Sequence, residues 1–475
     1  MSFFHGVRVT TKTTENTSVN SAECGIAVAV GTAPVNQVQE PKNIVLANSY
    51  SEAVAAMGYS DDWKKYTLCE VMYTHFKLYG VAPVIFINVA NVKENSTAVE
   101  AQSFAVVNGQ VELPESAIAD SVKVTADGAE LAVGTDYEVF FSDGACVIEA
   151  ISGGGMDGAE TVEVAYNDFT LDMESMKEKV IGGYDTESGE STGLELIDNC
   201  YAMYQVDPDL IIAPGFSHDP EVAAVMDAKT KVNSLFRARA IIDCDCDTVR
   251  VHNKVVEWRK ENGLTNDTEI LCWPMVQKAG KIFHYSSHLA ALMATVDAEN
   301  ENCPSESPSN KELQIDGLAL ADGTEVVLNL EKANYLNANG IVTAINFVGG
   351  FKAWGNYTAA YPDNKDPRCC WINVARMFDW VSNSLILTYW NRVDRKLNRR
   401  LCETIADSAT IWINGLTSAG HLYGGRVEFN DAENPDEDIM AGILRPHVYM
   451  APPAPAQEID WIVEYDASYV SEALS

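Results

Sequence analysis

Short apolar runs separated by glycine and proline set the rhythm of the chain. The run at 24–30, which ends before Gly31 and Pro34, has the length and apolarity of a buried strand, as does the run at 43–47. Ser51 caps a predicted helix with Glu52 in its first turn, and a second helix runs over 68–79, where Gly80 stops it. The apolar stretch 83–89 is again a strand. Strands and helices alternating at this spacing predict an α/β layer.

The pattern changes near residue 91. Between 91 and 170, four short strand-like runs (122–126, 137–141, 146–150 and 161–165) are punctuated by Asp127-Gly128, Asp143-Gly144 and Gly153-Gly154-Gly155. This predicts a small all-β insertion. The α/β rhythm resumes after Thr170, with strands at 209–213, 239–243 and 269–274. The helices between and after them fall at 220–232, 248–262 and 287–297. From Trp371 a helical stretch is expected through Ile405, then a Gly-rich turn region at 414–425 and strands at 426–429 and 443–449. Pro452, Pro453 and Pro455 break the chain before a last strand, 458–465, in which Ile459, Trp461, Val463 and Tyr465 alternate with mostly acidic neighbours.

The chain therefore divides into an extended N-terminal arm (1–24), an α/β portion (25–90 with 171–365), the all-β insertion (91–170), a C-terminal domain (366–455) and a terminal strand (456–475). The fold class is mixed α/β, multi-domain. The two ends lack enough apolar surface to fold alone. Val7, Val9 and Thr11 in the first arm, and Ile459, Trp461, Val463 and Tyr465 in the last strand, suit β-augmentation, in which a strand of one subunit completes a sheet in the next. The alternative is that both ends pair within their own chain.

Charge narrows the function classes. Thirty-three basic residues face 68 acidic ones in 475 residues, a net charge of −35. Phosphate attraction needs clustered Lys and Arg, so nucleic acid and anionic membranes are not expected partners. The eleven cysteines include no Cys-x-x-Cys, which argues against a zinc module and for free thiols in a reducing compartment. No apolar run is long enough to span a membrane, and residues 1–20 show no signal-peptide core.

Candidate chemistry is sparse. The glycines at 153–158 are not followed by Lys-Ser/Thr, so they form no phosphate loop. In Asp243-Cys-Asp-Cys-Asp247 an extended strand would put the two thiols on one face and the three carboxylates, solvated, on the other. Ser217 and His218 follow a strand, where α/β enzymes place catalytic groups, but a hydrogen-bonded turn is the better explanation of the pair. The segment 392–401 stands out more. On a helix, Val393, Leu397, Leu401 and Ile405 would share one face, and Arg392, Arg395, Lys396, Arg399 and Arg400 would give a basic stripe. The stripe is either a solvated helix face or a docking surface for an acidic partner.

Several segments, taken in order, resemble the contractile phage tail sheath family, also used by R-type bacteriocins and related injection systems. They are the stretch 379–384 (Asp-Trp-Val-Ser-Asn-Ser), the basic helix, 411–416 (Ile-Trp-Ile-Asn-Gly-Leu), Leu422-Tyr-Gly-Gly-Arg426 and the proline-rich 452–459. Upstream, Leu336-Asn337, Gly340-Ile341, Trp354-Gly355 with Thr358, and the helix 286–297 followed by Pro304 and Pro308 are similar too. The resemblance covers nearly the whole chain outside 91–170. It implies a structural subunit, not an enzyme, with no cofactor and no metal. Hexameric rings of the subunit would stack around a tail tube, with baseplate and tail terminator proteins as further partners. Assembly in the host bacterial cytoplasm and residence in the virion tail follow from it, as does contraction that drives the tube through a target envelope for genome delivery. It also implies that the basic helix faces the tube and that both arms exchange strands between subunits. A headless bacteriocin-type particle fits the same residues. A soluble α/β enzyme acting near Ser217 and His218 is the rival of another class.

Overall fold

The computed structural model describes residues 19–142 and 144–474. Val7, Val9 and Thr11 lie outside them. An eight-stranded sheet organises the molecule. Its strands are β1 (Ala27–Gly31), β2 (Ile44–Ala47), β3 (Val84–Asn88), β4 (Leu210–Ile212), β5 (Arg239–Asp243), β6 (Glu269–Cys272), β7 (Ile341–Asn346) and β8 (Phe351–Trp354). The spatial order is β2-β3-β1-β4-β5-β6-β7-β8, with the six inner strands parallel and both edge strands antiparallel.

Burial on both faces explains the continuous apolar runs. Along β1, Ala27 and Ala29 enter one core with Phe86 and Leu289, while Val28 and Val30 enter the other with Ile85, Val222 and Leu336. Helices therefore cover the sheet on both sides. The outer edge of β8 is covered by its own chain: Asn310 N–H donates to the Ala353 carbonyl at 2.7 Å and Leu313 N–H to that of Phe351 at 3.0 Å. Helix starts shift slightly from the sequence reading. Ser49, not Ser51, caps Tyr50–Met57, its Oγ accepting from Glu52 N–H at 3.3 Å.

The strands from Ser96 to Phe169 form two small sheets, one of four strands and one of three, closed over Val111, Tyr137, Ile148 and Val164. Fifteen carboxylates and two lysines lie within 91–170. This unit meets the main body where Asn36 Nδ2 donates to the Glu115 and Ala117 carbonyls at 2.8 and 3.1 Å.

Three helices frame the C-terminal half: α1 (Tyr285–Glu299), α2 (Ile372–Tyr389) and α3 (Arg399–Ala419). Helices α2 and α3 enclose a separate core of Met377, Trp380, Val381, Ala409 and Ile413. Against α3 lies a two-stranded sheet of β9 (Gly424–Glu428) and β10 (His447–Ala451). Gly425 permits this approach, since a Cβ there would stand 2.6 Å from Ile413 Cγ2. The segment 414–419, read from the sequence as a turn, is the last part of α3; Gly420 ends the helix at φ +89°. The described start of the chain runs along α2. Ala22 N–H donates to Ser384 Oγ at 2.8 Å, and Trp380 Nε1 donates to the Ala22 carbonyl at 2.8 Å.

Candidate assembly surfaces

Two exposed features and one buried joint stand out on the molecule. The first is the C-terminal arm. Asn373 Nδ2 holds the Pro453 carbonyl at 3.1 Å and Tyr357 Oη donates to Gln457 Oε1 at 2.8 Å. Beyond Gln457 the side chains stand in solvent: Ile459 is 71% exposed, Trp461 83%, Val463 92% and Tyr465 80%. The expected strand over 458–465 is not a strand here, because none of the described residues supplies it with a ladder; a short helix, Ser468–Ala473, follows. The alternation is present, yet its apolar face covers nothing. Burying each such side chain yields roughly 1.5–3 kcal/mol, so four of them unpartnered is a large unused driving force. Among the described residues the β9–β10 sheet has no third strand, which leaves one ladder edge open on each strand.

The second feature is the basic segment, and here the structure corrects the sequence reading. Residues 393–398 are not helical. A single turn at Trp390–Arg392 ends α2, Asp394 adopts φ +63°, and Asn398 caps α3 by accepting from Leu401 N–H at 2.9 Å. An Asn side chain that satisfies the first free N–H groups competes with helix continuation, and that outweighs the i, i+4 spacing of Val393, Leu397, Leu401 and Ile405. Val393 is exposed rather than buried. The basic residues thus sit on a turn and the start of α3. Arg395 Nε donates to the Asn391 carbonyl at 3.2 Å, and Arg399 pairs with Glu403 at 2.7 Å. Lys396 and Arg400 are exposed on the same stretch, and Arg392, half-buried, begins it. It remains the most basic surface segment of an acidic chain.

The joint lies between α2 and the main sheet. Arg376 is 3% exposed and binds Asp297 of α1 at 2.5 and 3.1 Å and Asp209, just before β4, at 2.7 Å. Arg239 of β5 binds Asp379, whose carboxyl burial pushes above the usual range while Arg239 pulls it down. Asn383 Nδ2 bonds Asp207 and the Arg237 carbonyl at 3.3 and 3.0 Å. Burial pushes Asp207 up to about 6. Buried charges persist only when paired, so this network fixes α2 on the sheet in one orientation. Sequence reasoning noted 379–384 as a motif but missed Arg376 and Arg239. Asn373, Arg376, Asp379 and Asn383 do recur along one helix face, a polar stripe at helical spacing, but that stripe does not say which distant residues it meets.

The residues of the enzyme reading do not converge. At the C-terminal ends of the parallel strands lies a cleft of about 280 Å³ whose walls include His218, Asp243 and His284. Ser217 Oγ faces Asp243, donating to Oδ2 at 3.3 Å and accepting from Asp243 N–H at 3.1 Å. Asp243 also accepts from Ser286 N–H at 2.8 Å, so this carboxylate is buried and satisfied rather than solvated as expected. Cys244 and Cys246 are buried thiols. His284 is held by Glu70 at 2.8 Å. Burial alone would lower its pKa, but Glu70 wins and lifts it to about 9. No group of three or more His, Cys, Asp or Glu that could hold a metal ion occurs among the described residues.

Comparison with known proteins identifies the architecture. Residues 189–359 match the family model of the phage tail sheath protein central domain. The tail sheath protein of Burkholderia phage BcepMu is 27% identical over 98% of both chains. A putative prophage major tail sheath protein of Pseudomonas aeruginosa is 25% identical over 71% of this chain and 81% of its own. The fold is that of the PVC sheath complex of an extracellular contractile injection system in its contracted state, with a TM-score of 0.59, 15% identity and 99% of each chain covered. The anti-feeding prophage helical sheath in its contracted state gives a TM-score of 0.57 at 14% identity, covering 98% of this chain and all of its own. In sequence over its central domain and in fold over nearly its whole length, the chain is similar to contractile tail sheath proteins.

Proposed function

We propose that the chain polymerises as hexameric rings around a tail tube, and that contraction of this sheath drives the tube through a target envelope. The exposed apolar face of the C-terminal arm carries this reading, because the arm follows in sequence a two-stranded sheet with no third strand among the described residues. Val7, Val9 and Thr11 at one end and Ile459, Trp461, Val463 and Tyr465 at the other are the strands exchanged between neighbours. Head-to-tail contacts of this kind do not close on themselves and so generate helical tubes. The joint at Arg376 lets each subunit move as a rigid body while the arms act as hinges.

Residues 366–455 form the inner domain and 91–170, rich in carboxylates, the outer one. The basic turn at Arg392, Arg395, Lys396, Arg399 and Arg400 meets the tube. Exposed charges give a contact that salt screens, which suits a surface that later lets go. Baseplate and terminator proteins bound the sheath at its ends, and assembly takes place in the bacterial cytoplasm before the particle leaves the cell. The end-to-end phage relative favours a genome-delivering tail over a headless particle.

Co-sedimentation with a cognate tube tests the reading. Wild-type protein is expected to pellet with the tube at low salt. Replacing Arg395, Lys396 and Arg399 by Glu is expected to abolish tube-dependent assembly with an unchanged melting midpoint. Undiminished assembly of the triple variant contradicts the tube-facing role.

A further inference from the structure

A second basic site lies on the opposite side of α2 from its contact with α3. A pocket of about 310 Å³ is lined by Arg237, Arg239, Arg368, Asp267, Phe378 and Asp379. Arg239 is committed to Asp379 and the Asp267 carbonyl. Arg237 and Arg368 are exposed and make no ion pair among the described residues. Both are held in place through their backbones. Arg237 N–H donates to Asn383 Oδ1 at 2.9 Å, and Arg368 N–H to Asp366 Oδ1 at 3.0 Å. Moreover, Arg237 stands directly opposite Lys231 across a two-stranded antiparallel pair. Like charges in that position destabilise a pair unless an anion joins them. Three guanidinium groups in the pocket, with Lys231 opposite one of them, outnumber the carboxylates of Asp267 and Asp379. In a chain of net charge −35 even this small local excess of positive charge stands apart.

The chain also carries a matching protrusion. The turn between β9 and β10, with the residue that leads into it, holds Glu428, Asp431, Glu433, Asp436, Glu437 and Asp438. Two of these are neutralised locally, Glu428 by Arg426 and Asp438 by Arg445, and Glu433 is hydrogen-bonded to the His447 ring at 2.8 Å. Asp431, Asp436 and Glu437 are exposed and make no ion pair among the described residues. The turn is rigid, because Asn434 clamps Arg445 through its N–H at 2.8 Å and its carbonyl at 3.0 Å. A preorganised acidic tip with Asp431, Asp436 and Glu437 in no ion pair among the described residues, and a preorganised socket with Arg237 and Arg368 likewise, are complementary between copies.

We infer that the acidic tip around Asp436 and Glu437 of one subunit plugs into the Arg237–Arg368 socket of a second copy. This inference rests on the sheath reading and adds to strand exchange a charge-based contact that fixes the register of neighbouring subunits. Guanidinium forks recognise carboxylates bidentately, so the contact is directional as well as attractive.

Charge swapping tests it. One variant carries Arg237→Glu with Arg368→Glu, and another Asp436→Lys with Glu437→Lys. Each is expected to melt like wild type and to raise the critical concentration for polymerisation at least about tenfold, the equivalent of 1.4 kcal/mol. An equimolar mixture of the two is expected to polymerise near the wild-type concentration, because every reversed socket then meets a reversed tip. Should a reversal unfold the chain, Arg237→Gln with Arg368→Gln is expected to shift the threshold in the same direction by less. Either pair polymerising like wild type overturns the plug, and so does a mixture that fails to recover. Wild-type protein that forms no polymer at any concentration overturns the sheath reading itself.

Discussion

A chain that stops at Pro455 is expected to fold as the full-length subunit does and to form no long sheaths. The lost residues, 456–475, contribute little to the subunit's own stability. Beyond Gln457 they make no contact with a core, and Ile459, Trp461, Val463 and Tyr465 are all more than two-thirds exposed. Their contribution is expected only on assembly, where an added strand would supply ladder hydrogen bonds and its alternate side chains would fill pockets. Buried aromatic anchors commonly carry more than about 2 kcal/mol of an interface each, so Trp461→Ala alone is expected to raise the polymerisation threshold by more than about tenfold. Light scattering against concentration, with a thermal melt on the same samples, separates assembly from folding. Long tubes from the truncated chain would contradict strand exchange at this end.

Replacing Arg376 by Met is expected to have the largest effect on the subunit itself. The substitution leaves Asp209 and Asp297 close together in the interior with no counter-ion. Removing one partner of a buried charge network typically destabilises by about 3–5 kcal/mol, a large share of a total near 5–15 kcal/mol. The loss has a direction in pH. Burial already raises the Asp297 pKa, and without the guanidinium to oppose it the carboxyl takes up a proton more readily. A carboxyl whose folded pKa lies above its unfolded value destabilises the fold as pH rises past the unfolded value. The variant is therefore expected to recover stability toward pH 5, relative to wild type. Urea midpoints at pH 5 and pH 8 measure this. As a control, Arg399→Ala is expected to leave the midpoint unchanged, since Arg399 pairs with Glu403 on an open surface. A midpoint of the Arg376 variant equal to wild type at both pH values would mean that the buried charges do not hold α2 on the sheet.

The strands of the main sheet were legible because burial on both faces makes them continuous apolar runs, as in 83–89 and 239–243. The insertion was legible from its Asp-Gly turns and its change of period. The break before α3 was hidden by a genuine i, i+4 pattern: Val393 and Leu397 are apolar at helical spacing, but Asn398 and Asp394 favour local hydrogen bonds over helix. The terminal alternation of Ile459 to Tyr465 was visible, yet a strand needs a neighbour, and none of the described residues supplies one. The Arg376 network was illegible for a different reason. Asp209 and Asp297 lie 167 and 79 residues away in sequence, and no local pattern announces such a meeting. The stretch 379–384 was noticed only as a resemblance. Its physical content is Asp379 on Arg239, Trp380 and Ser384 on Ala22, and Asn383 on Arg237.

Negative-stain electron microscopy of the purified full-length protein at high concentration decides whether this chain builds a sheath. Long hollow tubes with a helical repeat are expected, formed by this chain alone and extended further on a cognate tube. Compact particles that never polymerise, with or without the tube, would contradict a sheath subunit that assembles through its own arms.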